Sequence, residues 1–171
     1  NIPDTKLTVA YDKRDRYGNI EHVLAKDAFD HERESTTIFD DEGVFPKTEI
    51  NALGHETVLE YDQRFGVLTK ETDPNGLITA WQYDSFGRET LEMRPDGSQT
   101  TMTFSRSKMD GVWRLSERTT TTGGADDETV VDSLGRPIRT FSYGPTPDGQ
   151  QGKTPRRMQV FRYDRLSGKT A

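Results

Sequence analysis

Phe39, Tyr61, Tyr83 and Phe104 fall 22, 22 and 21 residues apart, and Gly54, Gly76 and Gly97 keep step with them. A fixed period of this size marks a small unit repeated along the chain, and it constrains the fold more than any other feature. The clearest copies are Tyr61-Asp62-Gln63-Arg64-Phe65-Gly66 and Tyr83-Asp84-Ser85-Phe86-Gly87-Arg88. Looser ones are Tyr11-Asp12 with Tyr17-Gly18, Val131-Asp132-Ser133-Leu134-Gly135-Arg136 and Tyr163-Asp164-Arg165-Leu166-Ser167-Gly168. A residue that the repeat explains needs no catalytic explanation, so the period also lowers the expectation of an enzyme.

Between the repeated elements the chain reads as short strands. Glu56–Tyr61, Val67–Thr72, Leu77–Tyr83, Arg88–Met93 and Gln99–Phe104 are rich in threonine and aromatics, as strands prefer. Leu77, Thr79, Trp81 and Tyr83 share one face by alternation, as do Leu91 with Met93 and Met102 with Phe104. Asp73-Pro74-Asn75-Gly76 and Arg94-Pro95-Asp96-Gly97 place proline where φ is fixed and glycine where φ must be positive. Each predicts a hairpin with a type I turn closed by a glycine bulge. Asn51-Ala52-Leu53-Gly54 is the same turn without its proline. A second class of link follows the tyrosine-aspartate pair, where Asp62 and Asp84 can accept amides two residues on and Gly66 and Gly87 take the strained position. Two turn classes alternating with short strands predict an all-β fold, a continuous antiparallel β-hairpin ribbon with one apolar face.

The pattern loosens elsewhere. Residues 26–37 are charged and fit a longer hairpin or a short helix, residues 119–128 a strand end and an exposed loop, and residues 143–155 an irregular insertion rich in proline and glycine. A strand resumes at Val160–Tyr163. The expectation is a single repeat array over 1–171, clearest at 51–104, interrupted by those three insertions.

Composition agrees with a thin sheet. Apolar residues are 30% of the 171 and charged residues another 30%, lean for a compact globule but suited to a sheet with one wet face. Aromatics at regular positions and turn chemistry in register argue against disorder. The net charge of −6, with no basic block, argues against a nucleic-acid partner. The chain has no cysteine, which excludes a disulfide framework and thiolate metal sites. No apolar run approaches membrane-spanning length, and no signal peptide is visible. The abrupt start at Asn1 and the stop near a repeat at Ala171 read as a piece of a longer protein.

The residues from Asn51 to Thr103, above all Tyr61-Asp62…Gly66, Asp73-Pro74-Asn75-Gly76, Tyr83-Asp84…Gly87-Arg88 and Arg94-Pro95-Asp96-Gly97, resemble the YD repeats of Rhs proteins. The same repeats occur in the B and C components of insecticidal toxin complexes and in teneurins. The resemblance is looser at 11–20, 131–141 and 161–169. It implies a hairpin ribbon that spirals into a hollow shell, of which this chain would be an arc. In bacterial members the shell holds a toxic C-terminal effector; in teneurins it serves cell-surface adhesion. Asp73-Pro74-Asn75-Gly76-Leu77 also resembles the family's DPxGL motif near the point of autoproteolytic release. The glycine pair, asparagine and tyrosine that should follow are replaced by Ile78-Thr79-Ala80-Trp81, so a repeat turn is the better reading.

Candidate chemistry is sparse. The tyrosines and Trp81 could stack on sugar rings, though at this period they read better as packing inside a hairpin spiral. Asp62, Asp84, Asp132 and Asp164 could be a carboxylate set for glycoside chemistry, which needs a separation of ~5–9 Å; turn capping explains all four at once. Asp40-Asp41-Glu42-Gly43 and Asp126-Asp127-Glu128 offer hard oxygen ligands without calcium-loop spacing. His22, His31 and His55 lack metal-ligand spacing. No nucleophile elbow, phosphate loop or dinucleotide fingerprint occurs. The expectation is therefore a non-enzymatic segment with no catalytic residues, cofactor or metal.

Its partners would be the remainder of the parent shell and its toxin cargo, in a secreted or cell-surface bacterial protein associated with virulence. The alternative is a module recognising glycan or a cell-surface protein through its aromatic face or the 143–155 loop. Cut out of its shell, the ribbon would expose strand edges and self-associate or be marginally stable. A concentration-independent monomer in size-exclusion chromatography would contradict that expectation.

Overall fold

The computed structural model describes residues 7–144 and 157–163. Thirteen strands account for most of them: β1 Thr8–Arg14, β2 Ile20–Lys26, β3 Glu32–Phe39, β4 Pro46–Ile50, β5 Glu56–Asp62, β6 Val67–Thr72, β7 Ile78–Tyr83, β8 Glu89–Met93, β9 Gln99–Met109, β10 Val112–Thr121, β11 Asp126–Val131, β12 Pro137–Tyr143 and β13 Arg157–Val160. Their order in the sheet is their order in the sequence, and the ladders for which a register is described are antiparallel. Short links permit only this meander, since a parallel neighbour needs a crossover of a dozen residues or more. The all-β expectation is met.

Contacts divide the chain into two compact units, Asn1–Ala80 and Trp81–Ala171. In the first, hairpin turns at 15–19, 40–45 and 62–66 occupy one end of the strands and those at 27–31, 51–55 and 73–77 the other. In the second, 84–88, 110–111 and 132–136 alternate with 94–98 and 121–124 in the same way. The tyrosine-aspartate turns and the proline turns are thus sorted to opposite strand ends within each unit. This sorting follows from a period of two strands per repeat. The ladder slips by one residue beside Phe39, Tyr61 and Val131, each immediately before an aspartate. Such bulges bend a strand and re-aim its side chains, and here they recur with the sequence repeat.

The core is thin. Among the described residues only Leu59 and Val130 are buried apolar side chains, which is why so little apolar content suffices. Two of the three buried polar residues, Ser116 and Thr100, each bond the hydroxyl of their cross-strand partner. The Ser116 and Ser105 hydroxyls are 2.7 Å apart and those of Thr100 and Thr121 3.2 Å apart, so their burial leaves no unmade hydrogen bond.

Several loosely patterned stretches are more regular than expected. Residues 26–37 lie in the β2–β3 hairpin, paired from Lys26↔Glu32 to His22↔Thr36, which is the first of the two readings, hairpin rather than helix, and no insertion interrupts the meander there. Residues 119–128 are likewise no insertion: β10 runs to Thr121, β11 begins at Asp126, and Thr119 pairs with Asp127. The strand expected at Gln99–Phe104 continues to Met109 because β10 stays in register with it down to Val112↔Met109. The last described strand is Arg157–Val160 rather than Val160–Tyr163. Most of the 143–155 segment, together with Asp164 and Gly168, lies outside the described residues.

The β2–β3 turn carries a testable imperfection. Asp30 holds φ at 64° in the position that glycine fills in the sister turns. Asp30→Gly removes the left-handed penalty of a side chain, against the loss of an exposed 3.4 Å contact with Lys26 of small value. The variant is expected to be about 0.5 kcal/mol more stable in urea unfolding.

Candidate functional site

The residues singled out by the repeat form turns, and one geometry serves both predicted turn classes. In the proline turn, Gly76 N–H donates to Asp73 O at 2.9 Å and Asp73 N–H to Leu77 O at 2.9 Å, with Gly76 at φ +78°. This is a type I turn closed by a glycine bulge. In the tyrosine-aspartate turn, Gly87 N–H donates to Asp84 O at 3.0 Å and Asp84 N–H to Arg88 O at 2.9 Å. The two classes differ only in the residues that line them. Gly66 departs slightly, bonding to Asp62 O across one more residue.

The aspartate side chain adds a second set of bonds. Oδ1 of Asp84 accepts the amides of Phe86 at 2.8 Å and Arg88 at 3.0 Å. Asp132 accepts those of Leu134 and Arg136 at 2.9 and 3.0 Å. Asp73 accepts Asn75 and Leu77, both at 2.8 Å, and Asn51 accepts Leu53 and His55. Asp62 accepts the Arg64 amide at 2.9 Å together with the same residue's guanidinium, Nε at 3.1 Å and Nη2 at 2.6 Å. The bond two residues on is the expected Asx contact; the bond four residues on was not foreseen.

Arginine completes the clamp in two turns. Arg88 donates Nε to Asp84 Oδ2 at 2.7 Å, and its guanidinium lies 4.2 Å from the Phe104 ring centre. Arg136 repeats this with Asp132 at 2.8 Å and with Tyr163 at 4.5 Å. The looser copy at 131–136 is therefore structurally equivalent to the clear one at 83–88. In these two turns the arginine covers the aromatic two strands on, so the 21-residue step from Tyr83 to Phe104 has a direct contact behind it, whereas Arg64 covers Phe65 of its own turn.

These contacts set the protonation of the aspartates. The Arg88 guanidinium, aided by the turn amides, holds the Asp84 carboxyl below the usual carboxylate range. Arg136 does so for Asp132 and Arg64 for Asp62, while for Asp73 the Leu77 amide leads. A carboxylate kept ionised and occupied by N–H donors is a poor proton donor at neutral pH. Tyr61 and Tyr83 are half-buried packing groups. Tyr61 stacks on Phe45 with ring centres 4.9 Å apart and planes 16° apart, and burial pushes the Tyr61 and Tyr83 phenols up. Trp81 is half-buried in β7.

The first copy is placed differently from its reading. Tyr11 and Asp12 lie within β1, Tyr11 exposed, and the turn at Gly18 is capped by Asp15, whose Oδ1 accepts the Tyr17 and Asn19 amides, both at 2.8 Å. Asp12 instead bonds His22 Nδ1 at 2.6 Å, and Glu34 lies 3.7 Å from the other ring nitrogen. This row links β1, β2 and β3. The Asp12 contact raises the His22 pKa above 6.5, against the opposing pull of desolvation. A raised histidine contributes stability that is complete below its unfolded pKa and lost as pH rises through the folded value. Amides of β1 are expected to lose protection, after correction for intrinsic exchange, as pH rises from about 6 to 9. His22→Gln is expected to abolish that dependence.

The acidic stretches are occupied by local bonds. Asp40 Oδ1 accepts the Val44 amide at 2.8 Å, Asp126 pairs with Arg118 at 2.9 Å, and Glu128 accepts the Tyr143 hydroxyl at 2.9 Å. Asp126–Glu128 are strand residues rather than loop acids. Among the described residues, no three His, Cys, Asp or Glu side chains gather as metal ligands would, and no helix is long and apolar enough to cross a membrane.

Residues 64–99 match the family model described as RHS Repeat. The match lies inside the region that reads most clearly as repeats, so the Rhs/YD-repeat resemblance drawn from Tyr61 to Gly97 holds. No curated protein sequence matches the chain. Among solved structures 35 chains match. One is the crystal structure of TcdB2-TccC3-TEV, with a TM-score of 0.61 at 14% identity over 91% of this chain. That likeness establishes a shared fold. This chain spans 8% of the length of that one.

Proposed function

We propose that this chain is a wall segment of an Rhs or toxin-complex-type shell, and that its mechanism is containment of a toxic effector. The observation that carries the reading is the clamp built from Asp84, Arg88 and Phe104 and built again from Asp132, Arg136 and Tyr163. The repeat residues are committed to backbone amides and to one another, which is the chemistry of a scaffold. Non-enzymatic action, secretion and a part in virulence belong to the same reading. So does a partnership with further shell repeats and with cargo. Its support is the RHS Repeat match and the fold shared with TcdB2-TccC3-TEV.

A wall that encloses a cargo protects it. Mild proteolysis of the full-length polypeptide carrying this segment is expected to leave an internal fragment intact in buffer. The fragment should become digestible at the urea concentration that melts the sheet. Digestion of all regions at similar rates in buffer would contradict containment.

A further inference from the structure

The longest hairpin in the chain, β9–β10, presents a surface that the repeat does not explain. Trp113 is 61% exposed on it, although large aromatics are normally among the more buried side chains. The ladder sets Lys108 directly opposite Trp113, Arg106 opposite Leu115, and Leu115 opposite Val131. Directly opposed residues share a face, so Trp113, Leu115 and Val131 form an apolar strip flanked by two cations. Arg106 lies 5.9 Å from the Trp113 ring centre. Among the described residues neither Arg106 nor Lys108 has an ion pair. A hollow of about 370 Å³, in the size range of small-ligand sites, is lined by Arg106, Trp113, Leu115, Val131, Asp132 and Ser133 among others. The acid in that lining, Asp132, is already bound by Arg136.

We propose that this hollow is a binding site for a carboxylated sugar. An exposed indole offers a flat apolar face to a sugar ring, and the unpaired guanidinium supplies a bidentate carboxylate contact. Two unpaired cations beside an aromatic in a chain of net charge −6 select an anion locally rather than through a general field. A hollow of this volume holds about one or two sugar units, and its ring face and cation match the two chemistries of a carboxylated sugar. The site is independent of the wall function, since either side of a wall can carry a recognition site. It also moves sugar recognition from the half-buried Trp81 to the exposed Trp113.

The test is titration of the whole chain with oligogalacturonate and with sialyllactose, followed by calorimetry, with neutral lactose as the control. Saturable binding of at least one carboxylated sugar is expected, about tenfold or more tighter than lactose and weakened by salt. Trp113→Ala and, separately, Arg106→Gln are each expected to weaken it about tenfold, whereas Trp81→Phe leaves it unchanged. Both replaced side chains are exposed, so circular dichroism should show the sheet intact. The proposal is overturned if no carboxylated sugar binds, if lactose binds equally, or if Trp113→Ala has no effect. Preference for phosphatidylserine vesicles or polyglutamate would likewise overturn it, in favour of a membrane or an acidic protein.

Discussion

Arg118→Met is expected to destabilise the second unit by about 2–3 kcal/mol, one of the two largest losses available to a single conservative-sized substitution here. The Asp126 side chain is only 7% exposed, and Arg118 Nη2 reaches it at 2.9 Å from the neighbouring strand. The same guanidinium lies 4.7 Å from the Tyr143 ring centre, so it links β10, β11 and β12. Methionine keeps the stem and removes the charge, leaving a carboxylate inside the sheet with no cation. A fully buried pair broken in this way costs about 3–5 kcal/mol; Arg118 is 35% exposed, and water reaching the site reduces the loss. Adding Asp126→Leu to Arg118→Met should recover most of it, because the penalty is the orphaned charge rather than the missing attraction. Urea denaturation of the single and double variants checks this. A double variant no more stable than the single one would show that Arg118 acts chiefly through its stacking on Tyr143.

Leu59→Ala is the corresponding loss in the first unit, expected at about 2–3 kcal/mol. Leu59 is one of only two buried apolar side chains among the described residues. It shares a face of β5 with Tyr61, which in turn stacks on Phe45. Truncation removes contacts that nothing else in a single layer can replace, although the open side of the sheet lets solvent or neighbours fill part of the gap. Leu53, 79% exposed at a turn tip, is the control, and Leu53→Ala should change stability by less than about 0.5 kcal/mol. A thin core concentrates stability in few residues, so the contrast between these two leucines should be larger than their chemistry suggests. Equal effects in thermal or urea unfolding would mean that the core has been misplaced.

What the sequence disclosed was what local chemistry decides. Asp73-Pro74-Asn75-Gly76 and Tyr83-Asp84-Ser85-Phe86-Gly87 specify their turns within five residues, so hairpins, period and strand order followed from them. The error at Tyr11-Asp12 came from anchoring the repeat on its tyrosine. The spacing of three residues from capping Asp or Asn to glycine, shared by Asn51, Asp73, Asp84 and Asp132, also marks Asp15 and Asp40, and it finds Asp27 once Asp30 is allowed in the glycine position. The burial of Asp126 was not legible, because it depends on an arginine eight residues away on the neighbouring strand. Trp113 was missed for the opposite reason. It sits where β9 and β10 outgrow the repeat, and nothing local distinguishes an exposed tryptophan from a packed one.

The claim that the repeat residues build a wall is tested most directly by electron cryo-microscopy of the full-length polypeptide that carries this segment. The account predicts β1 to β13 as consecutive strands of a continuous wall around a lumen, with Arg88 resting on Phe104 and Arg136 on Tyr163. A particle with no lumen, or one in which Tyr61 and Tyr83 line an open cleft beside paired carboxylates, would contradict it.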